Sequence, residues 1–185
     1  MNKLSKRDIR IFVIILISSM LLGVISNIAI EHIYKLIYPE KYYDVVSKYS
    51  AEYSVPKELV FAVIKVESDF DPYALSSAGA MGLMQMLPST YEWLTFVLKE
   101  KFSEEALYNP EINIKYGTYY LGYLYTRFGS WEKAIIAYNW GEGNFSEFLD
   151  NDGYTEGDYD SIPVTETKNY VKKVMHHWEK YKELY

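Results

Sequence analysis

Apolar positions recur along this chain in two ways. Over residues 11–30 they are nearly continuous, reading "IFVIILISSMLLGVISNIAI", twenty residues without a charge. At about 1.5 Å of rise per residue, such a helix matches the roughly 30 Å hydrocarbon core of a bilayer. Beyond that run they recur every three or four residues, the period of a helix with one face turned inward, and no strand-like alternation is sustained. The expected fold class is mainly α: one N-terminal transmembrane helix followed by a helical domain.

Proline, glycine and serine punctuate the pattern. Residues 31–43 read as a short helical stem broken at Pro39, because proline removes a helix donor and restricts the residue before it. The globular domain is expected from Tyr42, opening with the helix "YYDVVSKYSAEY". Ser54 and Pro56 suit the first turn of a second helix, one by capping an amide and the other by pre-setting the backbone. Between Phe70 and Gly82 the sequence is loop-like, and Pro88 and Ser89 then open "STYEWLTFVLKE". Ile114, Gly117, Leu121, Leu124 and Phe128 mark one face of a further helix that Gly129 ends. Ser130 caps "WEKAIIAYNW", which Gly141 and Gly143 are expected to close. Residues 150–163, "DNDGYTEGDYDSIP", read as a mobile polar loop before a last helix from about Thr165. Its acidic residues do not fall at the spacing of a calcium-binding loop, so it reads as solvated rather than as a metal site.

Charge then orients the chain. Lys3, Lys6, Arg7 and Arg10 precede the apolar run and Glu31 follows it, which predicts a cytoplasmic N-terminus and an extracytoplasmic remainder. The expected organisation is a basic tail over residues 1–10, a cell-membrane anchor over 11–30, a juxtamembrane stem over 31–41 and a domain over 42–185. A cleaved signal peptide is the alternative, but the apolar run exceeds the usual ~7–15 residues and "SNIAIEH" offers no small-residue cleavage site. Removing those four basic residues and Asp8 from the totals leaves 15 basic against 24 acidic groups, a charge of −9. Nucleic acid is therefore not an expected partner. With no cysteine there is no disulfide, thiol nucleophile or lipidated anchor. The roughly 140 remaining residues suffice for one core and not for two.

The segment "VFAVIKVESDFDPYALSSAGAMGLMQMLPST" carries the candidate chemistry. Leu59, Val63 and Glu67 are four apart, and Ala62, Val66 and Phe70 lie three to four from them, so an inward apolar stripe also carries a carboxylate. Desolvation there disfavours the charged form and raises the pKa, as a general acid near neutral pH requires. By itself Glu67 reads equally well as a helix-end glutamate paired to a lysine or to backbone amides. Asp69 and Asp71 are too close along the chain to face it across a substrate, and Glu92, Glu142 and Glu147 have no distinguishing setting. Tyr138 alone reads as core, Gln85 and Ser76 as residues that shape a loop, and Glu166 with Tyr170 as a surface pair one turn apart. Twenty tyrosines and four tryptophans suit sugar faces but equally fill cores, and Trp93, Trp131 and Trp178 are not assigned to a cleft.

Four blocks decide between these readings: "ESDFDPYALSSAGAMGLMQMLPST" from Glu67, "LYNPEINIKYGTYYL" from Leu107, "AYNWG" from Ala137 and "IPVTETKNYVKKV" from Ile162. In order and spacing the chain resembles the soluble lytic transglycosylases, relatives of goose-type lysozyme. The resemblance implies a lysozyme-like domain in which Glu67 is the catalytic acid/base, and Ser76, Gln85, Tyr138, Asn139, Glu166 and Tyr170 line the sugar cleft. Two positions depart from it: Leu87 stands where a methionine is usual beside the sugar, and Trp140 replaces the small residue of "AYNAG". Both bear on substrate fit rather than on the acid.

Most glycoside hydrolases use two carboxylates, whereas one well-placed acid stands out here. The resemblance accounts for this with a reaction that needs one. Protonated Glu67 donates to the oxygen between N-acetylmuramic acid and N-acetylglucosamine, then as carboxylate takes the proton of the muramic 6-hydroxyl, closing a 1,6-anhydro ring without water. The implied protein is a bacterial lyase of cell-wall turnover, with peptidoglycan glycan strands as partner, the membrane bound through residues 11–30, and neither cofactor nor metal. An anchored wall enzyme is also compatible with a partner from an envelope machine. Two alternatives stay open at this point: a hydrolytic muramidase, and a glycan-binding module without catalysis.

Overall fold

The computed structural model describes residues 5–151 and 153–185. Lys3 of the basic flank and Asp152 of the acidic segment lie outside the described residues. The chain divides into two units, one through Pro39 and the other from Glu40 onward.

The first unit is a single helix, α1 (Lys6–Ile37). Its stretch Arg10–Ile37 is long and apolar enough to cross a membrane, and none of its most apolar window is buried, which sets it apart from a core helix. Ser18 and Ser19 turn their hydroxyls back onto the carbonyls of Ile15 and Leu16, at 2.9 and 2.8 Å. Neither hydroxyl then needs water in an apolar surround. The stem is not a separate element. The helix continues through Glu31, paired with Lys35 one turn on at 2.9 Å, and stops two residues before Pro39, where helical backbone becomes disfavoured.

The second unit contains α2 (Tyr43–Tyr53), α3 (Lys57–Ser68), α4 (Pro88–Leu98), α5 (Pro110–Phe128), α6 (Trp131–Trp140), α7 (Glu142–Asn151) and α8 (Thr165–Leu184). Short 3₁₀ turns occupy Glu104–Tyr108 and Tyr159–Ser161. Among the described residues there is no strand, only isolated bridges from Met81 to Leu75 and Met86. The fold is mainly α, as the periodicity predicts.

Helix α3 is the centre of this unit. Residues 59–64, "LVFAVI", are fully buried on every side, the pattern of a helix enclosed by others rather than laid on a surface. Helix α2 packs on α3 and α5, α5 on α4 and α6, and α6 on α7. Phe61 stacks on Tyr181 of α8 with ring centroids 5.5 Å apart. The catalytic candidate lies in the last turn of this enclosed helix.

Three local expectations change. Ser54 does not cap α3: it closes α2 in left-handed conformation, its N–H donating to the Ser50 carbonyl, while Pro56 precedes α3 without a side-chain cap. The link between the helices is only three residues long, so Ser54 lies two residues upstream of the capping position. Gly143 does not end α6 either. Gly141 does so at φ +92, and Gly143 lies inside α7, a polar helix held by Phe145 and Phe148 against Phe128 and Trp140. Finally, the expected mobile loop is tied down. Glu132 of α6, buried, accepts hydrogen bonds from Tyr154 Oη, Gly157 N and Tyr159 Oη at 2.7, 2.7 and 2.8 Å. Tyrosine spacing within the acidic run supplies two of those donors.

Candidate active site

The non-helical segment between α3 and α4 forms one wall of the site, and a buried amide braces it from α5. Asn113 of α5 donates through Nδ2 to the carbonyls of Met81 and Leu107, each at 2.8 Å, and accepts at Oδ1 from Met84 N at 2.7 Å. The chain presses so closely on it that a Cβ on Gly82 would stand 2.3 Å from Asn113 Nδ2, at a φ of +77. Gly117 admits Met84 in the same way, with 2.5 Å from a Cβ to the sulfur. Ser68 Oγ fastens the end of α3 to the loop through the Leu83 carbonyl, at 2.8 Å.

A cleft of about 300 Å³ opens beside this wall. It is lined by Glu67, Ser76, Gln85, Tyr138, Asn139 and Glu166, six of the seven expected residues, together with Leu87 and Trp140. Tyr170 does not line it but reaches Glu67 from α8, its hydroxyl donating to Oε1 at 2.7 Å. Half of the expected surface pair is therefore a buried partner of the acid. Tyr138 donates to the Met84 carbonyl at 2.7 Å and so fixes the loop from the α6 side. Ser76 Oγ accepts from Ala80 N at 2.9 Å, which leaves its own proton for a ligand. Gln85, at φ +48, donates to the carbonyls of Ala74 and Gly82 and holds the turn on which it stands. Both loop residues thus shape the wall and face the cleft.

Electrostatics single out Glu67. Burial pushes its carboxyl up to about 7, with the Glu166 charge adding to the rise and the Tyr170 hydrogen bond opposing it. Among the described residues no lysine pairs with it, and the nearby Lys65 is taken by Asp69. Burial first, and then the charge of Glu67, drive the phenols of Tyr138 and Tyr170 well above the usual tyrosine range, so both remain hydrogen-bond donors. Asp71 receives the Tyr73 N–H at 2.9 Å within its own turn. A carboxyl half-protonated near neutrality at the floor of a cleft can donate a proton to a ligand and take one back.

Tyr120 and Thr90 also line the cleft, and the sequence pattern does not single them out. Tyr120 belongs to α5, where it is almost wholly buried and tilts against Tyr138 with ring centroids 5.5 Å apart. Its place in the block "LYNPEINIKYGTYYL", three residues after Gly117, was the available signal. A larger groove, about 580 Å³, lies between α2 and the stacked rings of Tyr125 and Trp131, but no carboxylate lines it. The smaller cleft is therefore the candidate site.

Residues 44–160 match the family model described as the Transglycosylase SLT domain. Over 147 residues, 75% of this chain, the sequence is 35% identical to the soluble lytic murein transglycosylase of Escherichia coli strain K12, of which it covers 22%. It is 32% identical over 169 residues to the membrane-bound lytic murein transglycosylase C of Edwardsiella ictaluri, covering 78% of this chain and 47% of that one. The structure is similar to that of the 70-kDa soluble lytic transglycosylase of Escherichia coli, with a TM-score of 0.74 and 31% identity over 81% of this chain and 25% of that chain. It is also similar to an inactive mutant of the lytic transglycosylase Slt from Pseudomonas aeruginosa, with a TM-score of 0.73 and 27% identity over 79% of this chain and 24% of that one. Fold and cleft together define a helical, lysozyme-like domain whose cleft holds a buried carboxyl, Glu67, beside a second one, Glu166. The chain belongs to the transglycosylase SLT domain family. It spans about a fifth of the length of the soluble curated relative and under half of the membrane-bound one.

Proposed function

We propose that this protein is a peptidoglycan lytic transglycosylase held at the cell membrane by α1, with its N-terminus cytoplasmic and its second unit outside. The observation that carries the reading is Glu67: a carboxyl in the floor of a sugar-sized cleft, pushed up to about 7 and hydrogen-bonded by Tyr170. In its protonated form Glu67 donates to the bridging oxygen between N-acetylmuramic acid and N-acetylglucosamine. The resulting carboxylate then accepts the proton of the muramic 6-hydroxyl as that oxygen bonds to the anomeric carbon, so bond cleavage and ring closure balance without water. One group serves as acid and then as base, which requires a pKa near ambient pH. Ser76, Gln85, Tyr138, Asn139 and Glu166 position the sugars, and Tyr170 orients the acid.

Names among the relatives support this reading, since the soluble and membrane-bound proteins matched are lytic murein transglycosylases. Domain limits near residues 31 and 42, the single-pass topology, the absence of any need for cofactor or nucleic acid, and an envelope partner belong to the same proposal. A hydrolytic reading gives Glu166, the second carboxylate of the cleft, the task of activating water.

Digestion of purified peptidoglycan with the full chain in detergent, followed by mass spectrometry of the released muropeptides, separates the two. Products lighter by one water and lacking a reducing muramic acid end are expected. Reducing ends would mean hydrolysis, and no products would turn the reading to a binding module.

A further inference from the structure

Two grooves share one residue. Trp140, the last residue of α6, lines the Glu67 cleft and also a second groove of about 330 Å³ walled by Asn144, Glu147, Phe148, Asn151 and Pro163. Phe148 and Phe145 flank its ring, with centroids 5.5 and 6.4 Å away. Asn144, Glu147, Phe148 and Asn151 are spaced by three and four along α7 and so present one face. Asn144 Nδ2 donates to the Trp140 carbonyl at 2.9 Å, and among the described residues nothing donates to its amide oxygen. Among the described residues, the side chains of Glu147 and Asn151 make no hydrogen bond or ion pair.

We propose that Trp140 carries the glycan strand out of the reaction cleft into this second groove, where α7 binds further sugars of the same strand. The inference rests on the reading of the Glu67 cleft as a glycan site. A sugar ring has a flat face of C–H groups and a rim of hydroxyl and acetamido groups. An indole suits the face, and the rim suits side-chain amides, which donate and accept in one plane, and a carboxylate, which accepts from sugar hydroxyl and amide groups. A polymer must follow an unbroken surface, and the shared indole makes the two grooves continuous. A peptide branching from the muramic acid leaves that track sideways, and among the described residues that line the groove Glu147 carries the only charge.

The test is calorimetric binding of N-acetylglucosamine oligomers of two, four and six residues to the full chain in a detergent without a sugar headgroup. These oligomers carry no muramic acid lactyl group or peptide, so sugar length is the only variable. Affinity is expected to rise roughly tenfold from two to six residues, the weight of one or two added hydrogen bonds and a ring contact. Both Trp140→Ala and the double variant Asn144→Ala/Asn151→Ala should bring that ratio close to one, while Trp140→Phe retains part of it. A ratio near one in the native protein, or a ratio unchanged in both Ala variants, overturns the proposal, even where the shortest oligomer still binds. An increment that appears only when a disaccharide carries a stem peptide makes the groove a peptide site and likewise overturns it. If no oligomer binds and peptidoglycan is not cleaved, the glycan reading of the cleft has failed, and this inference with it.

Discussion

Replacing the Glu67 carboxyl by an amide tests both its chemistry and its burial. Glu67→Gln should lower muropeptide release by ~10²–10⁴-fold, the usual weight of a general acid. The same substitution should stabilise the fold at alkaline pH. The folded pKa of Glu67 is raised from 4.5 to about 7, so the native state holds a proton that the unfolded chain loses above about 4.5. Wild-type stability therefore falls as pH rises from about 4.5 through 7, by on the order of 3 kcal/mol. Denaturant melts should show the variant more stable at pH 8 and equal to wild type at pH 4; no difference at pH 8 would show that the carboxyl is not desolvated. Tyr170→Phe removes the hydrogen bond that lowers the Glu67 pKa. If protonated Glu67 is the proposed acid, the alkaline limb of kcat/KM against pH should move to higher pH in that variant.

At the scale of elements, the wall between α3 and α4 is held from α5. Asn113→Ala leaves Met84 N and the carbonyls of Met81 and Leu107 without their buried partner. At about 1 kcal/mol for each bond this costs roughly 3 kcal/mol, and calorimetry should find Tm lower by roughly 10 °C. Activity should fall with it, because Ser76 and Gln85 stand on that loop. Glu132 plays the matching role on the other side. Glu132→Ala should speed hydrogen exchange over residues 153–161, where Tyr154, Gly157 and Tyr159 lose a common acceptor. Unchanged protection there would mean that neighbouring packing, not the carboxylate, orders the segment.

For the whole molecule, the division at Pro39 and Glu40 separates an exposed apolar helix from a unit with its own core. Residues of α1 expose Phe12, Ile14, Leu16 and Leu22 without internal packing, a surface suited to lipid. The second unit closes its own core around α3. The full chain should remain with membranes through an alkaline carbonate wash, and a chain starting at Glu40 should be recovered in the supernatant. Recovery of the full chain in the supernatant would remove the anchor from the proposed function.

What the sequence determined by itself were the features that depend on neighbours along the chain. The uncharged run of residues 11–30, the unbroken apolar run "LVFAVI" with Glu67 one turn further, and the capping of α6 by Ser130 and of α5 by Gly129 are of this kind, because apolar runs and backbone permissiveness are local properties. Helix α7 escaped that reading, since two phenylalanines three residues apart in a polar, glycine-bearing stretch carry too little periodicity without the Phe128 and Trp140 rings they meet. The residues of the cleft were legible through the order of their motifs, but their geometry was not. Tyr170 meets Glu67 across 103 positions of sequence, Asn113 meets Met84 across 29, and Trp140 joins two grooves only once α6 and α7 have turned at Gly141. Desolvation, hydrogen-bond partnership and the continuity of a surface arise between segments distant in sequence, so only the tertiary structure decided them.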